Sequence, residues 1–205
     1  MNQQEQFWAG SFGDEYTARN RVDWRKRVPF WSMILDLTGA RSVYEFGCNA
    51  GWNLSAIRRA YPDVSVRGID INVKAVDQAL QAGLPVSRSA EPIDDAELVF
   101  TSGVLIHVGP EQLEKTMVQI VEASYDYVLA IEYASVSKNV EALVYRGNED
   151  RLWRRDYGNL YEKMGLRMVA TGPAGDAFDR CTYWLLRKTE GPLAEVHSVP
   201  KAWRK

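Results

Sequence analysis

Apolar residues return along this chain in two rhythms. Short apolar runs occur at 41–47 (RSVYEFG), 64–71 (VSVRGIDI), 85–90 (PVSRSA), 96–103 (AELVFTSG) and 126–134 (DYVLAIEYA). Between them lie NLSAIRRAY, NVKAVDQALQAG and PEQLEKTMVQIVEAS, whose apolar positions recur at helical spacing. In the last of these, Leu113, Met117, Ile120 and Val121 share one face, and Pro110 suits a first turn. QAGLP ends its helix with glycine and then proline. Strand-length runs separated by such helices predict βαβ units and a mainly parallel sheet.

The ends read differently. Residues 1–38 predict a helical cap, with DWRKRVPFWSMILDL helical on either side of Pro29. EDRLWRRDYGNLYEKM (149–164) reads as one further helix, weakened by Gly158. LRMVATG and CTYWLLRK read as two more strands, an antiparallel pair at one edge. The expected organisation is a cap at 1–38, an α/β domain at 39–188 and a loosely held tail at 189–205, which contains Gly191, Pro192 and Pro200.

Composition narrows the class. A chain of 205 residues, 46% of them apolar, suits one domain of ordinary size. No apolar run approaches roughly 18 residues, so no membrane helix is expected. MNQQEQFWAG lacks a basic stretch followed by an apolar one, so a secretory signal is not expected. The two cysteines, Cys48 and Cys181, lie far apart, which favours a reduced, cytoplasmic protein over a disulfide scaffold. A net charge of −2 argues against a broad nucleic-acid surface. Two histidines and no cluster at ligand spacing argue against a tightly held metal.

The chemistry concentrates at SVYEFGCNAGWNLSAI (42–57). Gly47 and Gly51 bracket a turn where the first strand ends, and a helix starts near Asn53 with its free N–H groups facing the same crevice. The second strand finishes in GIDI, which puts Asp70 at its tip, where a carboxylate can hold both hydroxyls of a ribose. Asn49 and Trp52 break the G-x-G-x-x-G spacing of a dinucleotide site, and no phosphate-cradling G-x-x-x-x-G-K-[ST] occurs. Glu45, two residues before Gly47, would repel a pyrophosphate and favour a cationic ligand, or orient a group that contacts one. Cys48 reads as a small packing residue rather than a nucleophile, and there is no G-x-S-x-G elbow.

VYEFGCNAG followed by GIDI resembles the first two motifs of class I S-adenosylmethionine-dependent methyltransferases, with Asn49 in place of the usual central glycine. The likeness covers about residues 40–190 and implies a Rossmann-like sheet of seven mostly parallel strands with an antiparallel C-terminal edge pair, flanked by helices under an N-terminal helical lid. It implies S-adenosylmethionine as cofactor, leaving as S-adenosylhomocysteine. Glu45, Phe46, Gly47, Cys48, Asn49, Gly51, Asn53 and Leu54 would surround its methionine part, Asp70 would hold the ribose, and Ile71, Ser89 and Ala90 would flank adenine. Thr101, Ser102 and Gly103 open the fourth motif, TSGVLIH, beside the methyl group. FWAGSFGDEYTARN, GVLIHVGPEQL and YRGNEDRLWRRDYG further resemble methyltransferases associated with pseudaminic acid biosynthesis, which implies O-methylation of an acidic sugar. TGPAGDAFDRCTYWLLRK is less similar to that group.

On the acceptor side, His107 is the candidate base, because an alcohol must lose its proton and imidazole is the usual base near neutral pH. It would equally serve as a helix cap. Glu132 and Tyr133, at the fifth strand's tip, are alternatives, and His197 lies in the tail. Arginines cluster at Arg19, Arg21, Arg25 and Arg27 with Lys26, and again at Arg146, Arg151, Arg154 and Arg155. They predict a small anionic acceptor, held by Tyr16, Arg19, Asn20, His107, Tyr133, Arg146, Arg154 and Arg155. The bland alternative is solvated arginines paired with nearby acids. Phe7, Trp8 and Phe12 are expected to staple the first helix to the core. Rival readings are a carboxyl methyltransferase of a small polyacid, which needs no base, and a non-catalytic cofactor-binding protein. No nucleic-acid or membrane partner is expected, and the oligomeric state is not legible.

Overall fold

A computed structural model describes residues 1–92, 94–135 and 140–189. The tail beyond Thr189, with His197, lies outside the described residues.

Among the described residues, nine strands and seven helices follow in chain order. Helices α1 (Gln3–Ala9), α2 (Ser11–Arg19) and α3 (Val28–Thr38) precede the sheet, with one 3-10 turn at Trp24–Arg27. Then come β1 (Ser42–Phe46), α4 (Trp52–Ala60), β2 (Ser65–Asp70), α5 (Val73–Gln81), β3 (Val86–Arg88) and β4 (Ala96–Ser102). A 3-10 turn at Leu105–His107 leads to α6 (Pro110–Glu122) and β5 (Ser124–Glu132). The chain finishes with β6 (Glu141–Tyr145), β7 (Asn148–Arg154), α7 (Tyr157–Lys163), β8 (Arg167–Pro173) and β9 (Thr182–Arg187).

Seven strands make one sheet in the order β3-β2-β1-β4-β5-β9-β8. Strands β1 to β5 pair in parallel, and β9 runs antiparallel to both β5 and β8. The chain winds outward from β1 to β3, then returns to place β4 beside β1. Ligands of open α/β sheets bind at such a reversal, beyond the strand carboxyl ends. Parallel register brings Phe46, Asp70, Ser102 and Glu132 to that one edge.

Alternation along the central strands divides the core into two layers. Val43, Leu98, Phe100 and Leu129 face α3, α4 and α5, where Trp31, Ile34, Leu54 and Ile57 are buried. Tyr44, Val99 and Val128 face α6 and α7, meeting Met117, Ile120, Val121 and Tyr161. The segment 1–38 therefore serves two purposes: α3 is part of the core, with Trp31 fully buried, whereas α1 and α2 hold no buried apolar side chain. Pro29 sits in the first turn of α3, where its missing N–H removes no helix bond.

The expected single helix over 149–164 is replaced by a hairpin and a shorter helix. Arg146 (φ 49) and Gly147 (φ 80) turn the chain between paired Tyr145 and Asn148. Two consecutive positive φ values match the twist of a two-residue hairpin. Helix α7 begins only after Asp156, whose side chain accepts from the Asn159 N–H at 3.1 Å. Gly158 is tolerated inside the helix because β8 and β9 leave no room for a side chain: a Cβ there would lie 2.3 Å from Trp184 Cδ1 and 2.7 Å from Met168 Cε. Gly158→Ala is expected to destabilise the protein by about 1–3 kcal/mol despite alanine's better helix propensity. Denaturant unfolding checks this, and an unchanged midpoint would show that the α7–β9 contact tolerates a methyl group.

Candidate active site

A cavity of about 230 Å³ lies over the carboxyl ends of β1, β2 and β4. Its wall is made by 45–49, 69–72, 89–90, 102–104 and 107–109, together with α1 and α2 residues above. The loop after β1 stays tight because Gly47 (φ 76) presses on Val104, where a Cβ would come within 2.5 Å of Cγ2. Gly47 and Cys48 both donate to the Ile69 carbonyl, at 2.9 and 2.7 Å. Asn49 takes a left-handed φ of 46, a conformation that asparagine tolerates, and so fills the place of a glycine.

Glu45 is 2% exposed at the tip of β1. Its Oε1 accepts from Asn53 Nδ2 at 2.6 Å, whereas its Oε2 is buried with no partner among the described residues. Asn53 Oδ1 in turn accepts from Arg27 Nη1 at 2.9 Å and Trp31 Nε1 at 3.3 Å. Asn53 thus joins a buried carboxyl to a guanidinium across the cavity wall. Burial pushes the Glu45 carboxyl up to about 8 against the pull of Asn53 and Arg27, and lowers Arg27. Asp70 accepts from the N–H of Asn49 at 2.7 Å through Oδ2 and of Asn72 at 2.8 Å through Oδ1. One bond per oxygen fixes the carboxylate and leaves lone pairs for two further donors. Its pKa is raised, chiefly by burial.

His107 stands across the cavity in the turn after β4. Its Nδ1 lies 2.6 Å from the Arg151 carbonyl, which can only accept, so Nδ1 carries the proton and Nε2 is left bare. Trp8 and Tyr145 flank the ring at centroid distances of 4.5 and 4.9 Å. Burial among these rings lowers the His107 pKa to about 4, so the imidazole is neutral at physiological pH. Burial likewise raises the Tyr16 phenol to about 12.

Helices α1 and α2 cover the site through polar latches. Asn72 Nδ2 donates to Asp14 Oδ1 at 2.9 Å and to the Trp8 carbonyl at 3.2 Å. Asp14 also pairs with Lys74 at 2.7 Å, and Asn49 Nδ2 donates to Thr17 at 3.2 Å. Gln4 Nε2 reaches the Asp150 carbonyl at 2.6 Å.

Of the residues expected from sequence, Tyr16, Glu45, Phe46, Gly47, Cys48, Asn49, Asn53, Asp70, Ile71, Ser89, Ala90, Ser102, Gly103 and His107 line this cavity. Gly51, Leu54 and Thr101 stand behind it: Gly51 makes the left-handed entry to α4, and the other two are sealed in the core. Glu132 is fully buried, its carboxylate accepting from the N–H groups of Val104, Leu105 and Ile106, so it is not a base in contact with the cavity. The Tyr133 hydroxyl donates to Asp179 instead.

The arginines fare worse as acceptor ligands. Arg155 is 1% exposed and donates to the Leu105 and Val108 carbonyls. Arg154 lies over Tyr133, Arg146 sits at the exposed hairpin turn, and Arg19 is exposed beside Glu15. Asn20 caps α2. Arg151 and Arg155, within the segment expected as one helix, lie on and just after a strand. Sequence reasoning missed four wall residues that matter: Arg27, Asn72, Val104 and Trp8, the last expected in the core. Asn72 carried a signal as an N-cap directly after the GIDI strand, Val104 lies within TSGVLIH, and Arg27 belongs to the first basic cluster.

The wall fits S-adenosylmethionine. The orphan Glu45 oxygen calls for a cation, Arg27 suits the carboxylate of an amino-acid moiety, and Asp70 suits ribose hydroxyls. Among the described residues no helix is long and apolar enough to cross a membrane, and no group of three His, Cys, Asp or Glu could hold a metal.

The raised carboxyls set a pH dependence. Folded Glu45 and Glu132 titrate at about 8 and about 7, against an ordinary value of 4.5. The folded state therefore binds more protons than the unfolded chain between these values, and stability falls as pH rises from 4.5 through 8. Glu45→Gln is expected to flatten the upper part of that slope. Melting temperatures across pH 5–9 check it, and parallel curves would assign the slope to other groups.

No protein-family model matches the chain, and no curated protein matches it. Its fold is similar to magnesium protoporphyrin IX methyltransferase from Synechocystis PCC 6803 with bound SAM, at 13% identity and TM-score 0.67, covering 92% of this chain and 99% of that one. It is similar to the sugar N-methyltransferase KedS8 from Streptoalloteichus sp ATCC 53650, at 11% identity and TM-score 0.65, covering 89% and 94%. It is also similar to the mitomycin 7-O-methyltransferase MmcR, at 16% identity and TM-score 0.61, covering 80% and 54%. The chain has the fold of the class I S-adenosylmethionine-dependent methyltransferases.

Proposed function

We propose that the protein is an S-adenosylmethionine-dependent methyltransferase acting on a hydroxyl of a small acceptor. The observation that carries this reading is the buried carboxyl pair at the tips of β1 and β2. Glu45 has an oxygen without a partner, and Asp70 is fixed by two backbone N–H groups. When bound, the cofactor supplies an electrophilic methyl carbon on a cationic sulfur. Glu45 and Arg27 would orient its amino-acid end, Asp70 would grip the ribose, and α1 with α2 would keep water from the reacting centre.

His107 supports an oxygen acceptor. Its bare Nε2 can take a hydrogen bond from the acceptor hydroxyl and orient the oxygen for in-line attack. A proton with a pKa near 4 looks too acidic for such a base. The alcohol oxygen, however, becomes strongly acidic as its bond to carbon forms, so a weakly basic imidazole suffices late in the step. Because His107 stays neutral above about pH 6, its titration leaves the rate flat from there upward.

The finer acceptor assignment, an acidic sugar such as pseudaminic acid or a precursor, rests on the resemblance of three segments. Arg27 is the only arginine of the two clusters in the cavity wall among the described residues, and it lies on the Glu45 side. The anionic character of the acceptor thus has little support at the site, and neutral sugars belong in the same screen. The neighbours named above methylate oxygen in one case and a sugar nitrogen in another, so the fold does not choose the acceptor atom.

Asp70→Asn is expected to weaken S-adenosylmethionine binding by about 10- to 100-fold, since it removes the charge from two ribose hydrogen bonds. Calorimetry measures this, and unchanged affinity would remove Asp70 from the site. In a screen for S-adenosylhomocysteine release from neutral and acidic sugars, His107→Ala is expected to lower turnover by about 10²–10⁴-fold with cofactor affinity retained. Near-normal turnover would favour a carboxylate acceptor, which needs no base.

A further inference from the structure

We propose that Glu132 and Arg155 are positioning residues that together fix the segment 104–108, and through it His107. The proposal rests on the methyltransferase reading for its consequence, though not for its geometry. Glu132 Oε1 accepts from the N–H of Val104 at 3.2 Å and of Leu105 at 3.1 Å, and Oε2 accepts from Ile106 at 3.3 Å. Arg155 works from the opposite polarity. Its Nη1 donates to the Leu105 carbonyl and its Nη2 to the Val108 carbonyl, both at 2.9 Å. Neither charge is more than 1% exposed, and no direct ion pair joins them among the described residues.

The arrangement sets a carboxyl and a guanidinium on opposite polarities of one peptide segment. The carboxyl holds the segment's N–H groups and the guanidinium holds its carbonyls, so the backbone dipoles partner both buried groups. A charge buried in this way is strongly penalised if its partners move. The segment is therefore held in one place, and both of its ends serve the site. Val104 packs on Gly47 at the cofactor loop, and His107 stands at the acceptor side. The β6–β7 hairpin completes the device: Arg155 follows its second strand, and Arg151 within that strand supplies the carbonyl that sets the His107 tautomer.

The consequence is geometric. In-line transfer tolerates little displacement, and a shift of about 1 Å in a positioning element can lower a rate by about 100-fold. Glu132 and Arg155 would then govern turnover without touching cofactor or acceptor.

Glu132→Gln and Arg155→Lys test this. An amide cannot accept along both arms, and one ammonium cannot span two carbonyls. The readout is nitrogen-15 NMR of His107, assigned with His107→Ala. In the wild-type protein His107 is expected as the Nδ1–H tautomer titrating near 4. Among the described residues the ring is in contact with Trp8, Tyr145 and the Arg151 carbonyl, and burial is the first cause of its lowered pKa. In the folded variants the midpoint should climb towards 6.5 and the Nδ1–H signal should weaken, with S-adenosylmethionine affinity by calorimetry kept within about threefold. Unchanged tautomer and midpoint in folded variants would overturn the proposal. Should neither variant fold, hydrogen exchange of the wild-type protein decides: amides of Val104, Leu105 and Ile106 that open only with global unfolding support it, and fast exchange beside a protected sheet overturns it. Failure of S-adenosylmethionine to bind the wild-type protein would remove the methyltransferase reading while leaving the histidine readout valid.

Discussion

The carboxyl of Glu45 stands at the end of the central strand, closed off from solvent, with one oxygen held by Asn53 and the other without a partner among the described residues. Leaving a buried acceptor unpaired costs about 1–3 kcal/mol, more if it is charged. The surroundings answer with a raised pKa and with Arg27, brought near through Asn53. A cation entering the cavity would supply what the chain does not. The rest of the site is arranged about that deficit: the tight Gly47 loop brings backbone close, Asp70 is placed to hold a sugar in the proposed reading, and α1 and α2 would limit access of water.

The fold places these groups by topology. Reversal of strand order between β1 and β4 opens the crevice, and parallel register aligns four strand tips along it. Polar latches, together with the ring contacts of Trp8 and Phe12 on His107 and Tyr145, hold α1 and α2 over the opening. The polar latches exchange readily with water, which suits a cover that must admit a ligand. By contrast, the floor on the acceptor side is held by deeply buried charges. A yielding roof and a rigid floor are what positioning chemistry requires.

The central sheet was legible because alternation such as Val43 inward to one layer and Tyr44 to the other leaves a period-2 trace in sequence. Gly47 and Asp70 were legible because their spacing reflects local backbone geometry. The hairpin was not, because RLWRR carries apolar residues at spacings compatible with either a strand or a helix. The informative signal was Gly147, whose positive φ makes the turn. The arginines misled for a related reason. A long side chain can reach a wall, a carbonyl or solvent from the same stretch of sequence, and only packing decides. Arg155 ended in the interior on two carbonyls, whereas Arg27 crossed from the N-terminal segment to the cavity wall. Trp8, expected to staple the first helix to the core, lies against His107 and Tyr145 in the cavity wall instead.

The most direct measurement is calorimetric titration of the wild-type protein with S-adenosylmethionine near pH 7, in buffers of different ionisation enthalpy. With Glu45 protonated in the free protein, a cation bound beside it should expel that proton, so one-to-one binding accompanied by proton release is the predicted result. No binding of this compound, or binding with no proton exchanged, would contradict the account.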